Sequence, residues 1–157
     1  MGKFTVIKDT REKEGWQFNK SVYCNGTVCK GLKTGDYTLE GYEHIICVER
    51  KRSPEEVSIN VGKKKKQFDN ELARMMDIKH RYIICEFSVF DLLSYPQNAK
   101  IPKFLKNKVR MKGDYILKCL LEYAICNNVQ LLFCGNPENA KTVALSLFKR
   151  IVENEKL

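Results

Sequence analysis

Between residues 35 and 51 the chain brings two carboxylates and an ammonium group within reach of one another. Gly35-Asp36 opens one β-like segment, Tyr37-Thr38-Leu39-Glu40, and Glu49-Arg50-Lys51 closes the next, Ile45-Ile46-Cys47-Val48. Side chains alternate along a strand, so Glu49 and Lys51 share a face about 7 Å apart while Arg50 points to the other. A four-residue turn over Gly41 to His44 would set Asp36 opposite Glu49, with Cβ atoms roughly 5 Å apart. Two carboxylates that close repel unless a cation lies between them. Mg²⁺ suits such a place, because it takes one or two carboxylates and completes its shell with water and phosphate oxygens. Lys51 would then add a point charge for a phosphate or a nucleophilic water. Two plainer readings stand beside this one. A two-residue turn at Glu40-Gly41 would pair Asp36 with Ile45, too far from Glu49 to share an ion. An E-x-K triplet also arises by chance, in which case Glu49 is a solvated strand residue paired with Lys51.

The neighbouring residues narrow the choice. A short β-like run, Lys3 to Lys8, leads into Asp9-Thr10-Arg11-Glu12 and Gly15-Trp16-Gln17-Phe18. Asp9-x-Arg11-Glu12, then Gly35-Asp36, then Val48-Glu49-Arg50-Lys51 with an acid at Glu55, resembles the XPF-type structure-specific endonucleases. Their signature is GD, a variable gap, ERK, three residues and D. Here the last position is Glu55, followed by Glu56, and the longer side chain could still reach a metal or its waters. The likeness runs from Phe4 to about Val152 and includes the stretch Phe68 to Met75 and the strand Tyr82 to Phe87. It implies an α/β, restriction-endonuclease-like fold, a central mixed β-sheet flanked by helices, whose D…(D/E)-x-K pattern Asp36, Glu49 and Lys51 match.

The resemblance also implies a reaction. Asp36 and Glu49, with Asp9 nearby, would hold one or two Mg²⁺ ions, for which Mn²⁺ can substitute, and the chain would hydrolyse DNA at flaps, forks or junctions. Lys51 would position or help deprotonate water. Arg50 would brace the site through a carboxylate, with Glu12 the first candidate, and Arg11 is the alternative brace. Trp16 and Phe18 are read as core or lid in preference to a stacking platform for an unpaired base. The family also contains non-catalytic DNA-binding subunits, which typically lose the carboxylates or the lysine, whereas Asp9, Asp36, Glu49 and Lys51 are all present here. A basic interaction protein of viral assembly on the same fold is a third reading. Family members usually carry a tandem helix-hairpin-helix module after the nuclease domain. The chain ends at Leu157, straight after the last helix, so a stand-alone nuclease domain is expected, with structure selectivity either weaker or supplied by a partner or by a homodimer.

The elements that must position these groups alternate. Strands are expected at 3–9, at 20–33 as a hairpin turning at Asn25-Gly26, at 36–40 and at 45–51. A helix at 66–78, a strand at 82–87 and a basic loop or short helix to 112 follow. The chain closes with a helix at 114–127 capped by Asp114, a strand at 129–134 buried on both faces, and a helix at 137–155. Gly113-Asp114 thus repeats the letters of Gly35-Asp36 in a capping role.

Composition agrees with one nucleic-acid-binding domain over residues 1–157. That length suits a single core, burying roughly 70% of the unfolded surface. The net charge is +9, from 28 Lys and Arg against 19 Asp and Glu, which calls for a polyanionic partner. Lys63, Lys64, Lys65 and Lys66 form one cluster, which would otherwise be a solvated loop, and a second group includes Lys103 and Lys106. Seven cysteines, an odd number without a secretory pattern, argue against a disulfide framework; most read as small core residues, while Cys24 and Cys29 bracket the expected hairpin turn. His44 and His80 are read as solvent-facing. No run is long and apolar enough for a membrane span, so an intracellular site is expected: bacterial cytoplasm, a host cell if viral, or a nucleus if eukaryotic.

Overall fold

The computed structural model describes residues 2–155. In chain order the elements are β1 (Phe4–Lys8), β2 (Cys24–Cys29), β3 (Tyr37–Leu39), β4 (Ile46–Lys51), α1 (Pro54–Val61), α2 (Lys65–Met75), β5 (His80–Cys85), α3 (Val89–Leu93), α4 (Lys103–Lys106), α5 (Gly113–Cys126), β6 (Gln130–Phe133) and α6 (Pro137–Asn154). The strands form one sheet in the order β2-β1-β3-β4-β5-β6. β3 pairs antiparallel with β1 and β4, while β1 with β2, β4 with β5 and β5 with β6 are parallel, so the sheet is mixed.

β4 lies inside the sheet with both faces covered, which is why all six of its residues are buried, the charged ones included. Ile46 and Val48 join a core with Trp16, Phe18, Tyr37 and the buried stripe of α6, Ala140, Ala144, Phe148 and Ile151. Cys47 faces the opposite core, built from Val57 and Val61 of α1, Phe68 and Leu72 of α2, and Ile116 and Leu120 of α5. Period-2 alternation in β4 thus sends its residues into two different cores. No helix among the described residues is long and apolar enough to cross a membrane.

Several local expectations are corrected. Asn25-Gly26 is not a hairpin turn. Both residues sit inside β2, which runs parallel to β1, and Gly26 takes φ of 105° where the register with β1 shifts. The strand ending near Cys134 is half-buried because it forms the sheet edge. Residues 54–61 form a helix where none was expected. Ser53 caps it by accepting from the Glu56 amide at 3.3 Å, and Pro54 starts it, the S-P-E-E opening that favours an N-terminus. The last helix but one begins at Gly113, with Lys112 at the cap position and Asp114 in the first turn. Gly113 approaches α3 so closely that an added Cβ would collide with the Leu92 carbonyl, which accounts for the glycine there without any chemical role. Of the cysteines expected in strands or on an apolar helix face, Cys126 is exposed. His80 is part-buried and bonds Glu155 at 2.9 Å, tying the end of α6 to β5, while His44 is exposed.

Candidate active site

The register between β3 and β4 decides whether the carboxylates meet. Tyr37 pairs with Val48 and the Asp36 amide donates to the Val48 carbonyl at 2.9 Å, so Asp36 stands opposite Glu49. The longer turn makes this possible: Tyr42 N–H bonds the Leu39 carbonyl at 3.0 Å and Ile45 N–H bonds that of Tyr42 at 2.8 Å. Asp9, just past β1, donates its amide to the Asp36 carbonyl at 2.8 Å. Asp9, Asp36 and Glu49 therefore form one row across three neighbouring strands.

Gly35 sets the entry to that row. Its φ is +74°, and a Cβ there would collide with Cys47 Sγ. Gly35→Ala is expected to lower stability by about 1–3 kcal/mol and to displace Asp36. Urea unfolding measures the first effect. A variant as stable as the parent would remove the steric reason for the Gly-Asp pair.

Burial and like charge set the two carboxyls of the pair against one another. Burial raises the Asp36 carboxyl well above its ordinary range and Glu49 adds to the rise, against the Arg50 amide, which donates to Asp36 Oδ2 at 2.7 Å. Burial also raises the Glu49 carboxyl, opposed by Lys51, whose Nζ donates to Glu49 Oε1 at 2.8 Å. Glu71 on α2 and Glu56 on α1 contribute further negative charge there. Burial alone would lower the Lys51 ammonium, but Glu49, Glu56 and Asp36 outweigh it and push its pKa up, so Lys51 stays charged. Its Nζ lies 4.8 Å from the centre of the Phe68 ring on α2.

These residues fit a hard divalent ion. Among the described residues no three His, Cys, Asp or Glu side chains are gathered as a metal cluster. The acidic donors are a pair, and a pair is the number Mg²⁺ commonly takes when water and phosphate complete its shell. Two carboxyls whose proximity favours protonation are also the groups whose repulsion a cation would relieve.

That conflict has a measurable sign. Above about pH 4 the unfolded carboxyls release protons that the folded pair retains. Stability of the metal-free protein should then fall as pH rises from there through the raised folded-state values. Asp36→Asn removes the conflict while keeping an acceptor for the Arg50 amide. In chelator at pH 7 the variant should be more stable than the parent by about 0.5–2 kcal/mol, a difference that shrinks towards pH 4. Urea midpoints across that range provide the check. An equal or lower midpoint at pH 7 would show that the carboxyls do not oppose one another.

On the other face of β4, Arg50 is a double brace. Its Nε and Nη2 donate to Glu86 Oε1 and Oε2 at 2.7 and 3.2 Å, and Nη1 donates to Glu12 Oε1 at 3.1 Å. The Trp16 indole N–H donates to the same Glu86 Oε1 at 2.8 Å, and its ring stacks on Tyr37 at 4.9 Å. Trp16 and Phe18 are core residues, 5% and 4% exposed, and offer no platform to a base. Glu86 was missed as a site residue. Its signal was an acid ending the apolar run Tyr82-Ile83-Ile84-Cys85, where only a cation from another strand could satisfy it.

The other acids and lysines stand further from the pair or are already engaged. Asp9 Oδ1 accepts from the Arg11 amide and Nε at 2.8 and 2.7 Å, and Oδ2 from the Leu32 amide at 2.7 Å, so its oxygens are engaged within the protein. Burial would raise the Asp9 carboxyl, but these hydrogen bonds and the Arg11 charge hold it below its usual range. Glu55, in the first turn of α1, lines a separate cleft with Asp91 and Lys100, whereas Glu56 is the α1 acid felt by Lys51 and Glu49. Lys63, Lys64, Lys65 and Lys66 are exposed at the turn into α2, and Lys65 pairs with Asp69 at 2.8 Å. Lys103 and Lys106 lie on α4, where Lys106 Nζ also donates to the Gln97 carbonyl.

A scan of protein-family models and a search of curated proteins each found no match to the chain. Two solved structures of XPF from Aeropyrum pernix are similar over 96% of it. One has 16% identity and a TM-score of 0.65. The other, a complex with DNA, has 17% identity and a TM-score of 0.67. The chain spans 66% of the length of each of those chains. At this identity the likeness concerns the fold alone, which is XPF-like.

Proposed function

We propose that the chain is a divalent-metal-dependent endonuclease that hydrolyses DNA at branched structures such as flaps, forks or junctions. One observation carries the reading. Asp36 and Glu49 stand opposite one another beside a charged Lys51, on a fold shared with a nuclease that has been seen with DNA.

Asp36 and Glu49 would hold Mg²⁺, or Mn²⁺ in its place, and the ion would polarise the scissile phosphate and acidify a bound water. Lys51 keeps its proton, which suits it to donate to a phosphate oxygen or to orient the water and not to act as the base. The Arg11 side chain is 67% exposed and can turn to a phosphate, which would free Asp9 as a further donor. Arg50, Glu12 and Glu86 act behind β4, fixing the strand from which Glu49 and Lys51 project. Lys63, Lys64, Lys66 and Lys103 supply sequence-independent phosphate contacts, with Lys65 and Lys106 partly committed elsewhere. Repair or recombination intermediates inside a cell provide such branched DNA. A homodimer through this domain would supply a second grip on it.

The test is a panel of labelled flap, fork, junction and linear DNAs, with Mg²⁺, with Mn²⁺ and with chelator. Cuts close to the branch in either metal, none in chelator and little on linear duplex are expected. Tight binding that is equal in metal and chelator, with no cutting, would instead favour a non-catalytic DNA-binding subunit.

A further inference from the structure

A cleft of about 510 Å³ opens beside the carboxylate pair and has no part in the proposed hydrolysis. Its floor includes Thr38 and Cys47. Since Tyr37 pairs with Val48, Thr38 and Cys47 also stand opposite each other, on the face that carries Asp36 and Glu49. The cleft therefore begins one residue pair along the sheet from the proposed ion, a separation of about 7 Å.

Two properties of its lining point the same way. Leu32 and Ile78 make the walls apolar, and at their rim stand Lys30, Lys33 and Arg74. Lys30 faces Glu43 at 3.9 Å, while Lys33 and Arg74 have no carboxylate partner among the described residues. Asp77 is the other acid of the lining. An apolar slot with two uncommitted cations at its mouth matches a flat base joined to phosphates. The volume also lies within the range of pockets that enclose a small organic group.

Resting on the reading of the chain as a DNA-binding nuclease, we infer that this cleft receives one unpaired nucleotide of the strand being cut. The base packs against Leu32 and the exposed edge of Ile78, and Lys33 and Arg74 contact the adjoining phosphates. A base inside intact duplex would first have to leave its stack and its partner, which costs a few kcal/mol, whereas an unpaired base enters freely. The cleft thereby selects DNA with an unpaired nucleotide next to the scissile bond. Branch preference then follows from this domain alone.

The test separates base recognition from general charge attraction by a double-mutant cycle, carried out in chelator so that no cleavage is needed. The probes are a labelled duplex with a five-nucleotide single-stranded arm and the same DNA with an abasic site at each of the first three arm positions in turn. The protein is the full chain, beside Lys33→Glu/Arg74→Glu, both exposed positions, with thermal unfolding to confirm that the variant is folded. For the parent, one abasic position is expected to weaken binding about fivefold; for the variant, that same change is expected to matter less than about twofold. Absence of any abasic effect in the parent, or an equal effect in both proteins, overturns the subsite. Base-dependent binding by a protein that never cuts DNA would support the subsite and overturn the hydrolytic reading instead.

Discussion

Asp36→Asn should bind branched DNA within about twofold of the parent and cut it on the order of 10²–10³ times more slowly in saturating Mg²⁺. The substitution is nearly isosteric. The amide oxygen of Asn can still accept the Arg50 N–H that now reaches Asp36 Oδ2 at 2.7 Å, so the β3–β4 register should survive. What is lost is a negative charge facing Glu49 across the strand pair. Without it Glu49 would be left as the one carboxylate of the pair to hold a cation, so the ion would be bound more weakly and placed less well against the scissile phosphate. The metal-free protein should at the same time become more stable, so a slow variant cannot be dismissed as unfolded. Lys51→Ala should slow cutting by a comparable factor, but it also leaves the buried Glu49 carboxylate without its 2.8 Å partner. Its stability should therefore fall, where that of Asp36→Asn rises. Because the two residues serve one step, the double variant should be little slower than the worse single one. Single-turnover rates on a labelled flap read all three. Retention of full rate by Asp36→Asn would remove the carboxylate pair from the reaction.

Arg50→Ala should cost about 3–5 kcal/mol of stability, more than any other single substitution at the site. Arg50 is 7% exposed and links Glu86, Glu12 and, through Glu86, the Trp16 indole. Removing it leaves the buried carboxylate of Glu86 with the Trp16 N–H as its one side-chain donor among the described residues. Burying an unpaired charge is far more costly than losing a surface ion pair. Arg50→Lys keeps the charge but not the planar fork that serves two carboxylates, so an intermediate loss is expected. Urea unfolding is the measurement. A loss below about 1 kcal/mol for Arg50→Ala, the range of exposed pairs, would mean that the network is solvated and braces nothing.

Much of the site was legible because short-range rules fix it. Alternation in β4 separates Glu49 and Lys51 from Arg50, and the turn after Glu40, closed around Tyr42, sets Asp36 against Glu49. The alternation follows from spacing alone, whereas spacing leaves a two-residue turn at Glu40-Gly41 equally open and the structure selects the longer turn. Partners brought in by long-range pairing were not legible. Glu86 meets Arg50 only because β5 lies parallel to β4, with Arg50 paired to Ile84, two residues short of it. Glu71 and Glu56 feel the site because α2 and α1 pack over that face. The fold class could be read from the order of elements and from the signature residues. The differences share a cause: local composition suggests a turn at Asn25-Gly26 and a doubly buried strand at Val129–Cys134, while neighbour strands decide whether a segment turns, pairs or lies at an edge. Ser53-Pro54 carries a helix-start signal in the sequence itself, a capping serine followed by proline at the first helical position.

The most direct measurement is Mn²⁺ binding to the metal-free protein, followed by paramagnetic broadening of backbone amide resonances. Broadening should centre on Asp36, Glu49 and Arg50 in the parent. The apparent affinity should drop by at least about tenfold in Asp36→Asn and in Glu49→Gln. Binding of equal strength in parent and variants, or broadening centred on another part of the sheet, would contradict a metal centre built on the β3–β4 pair.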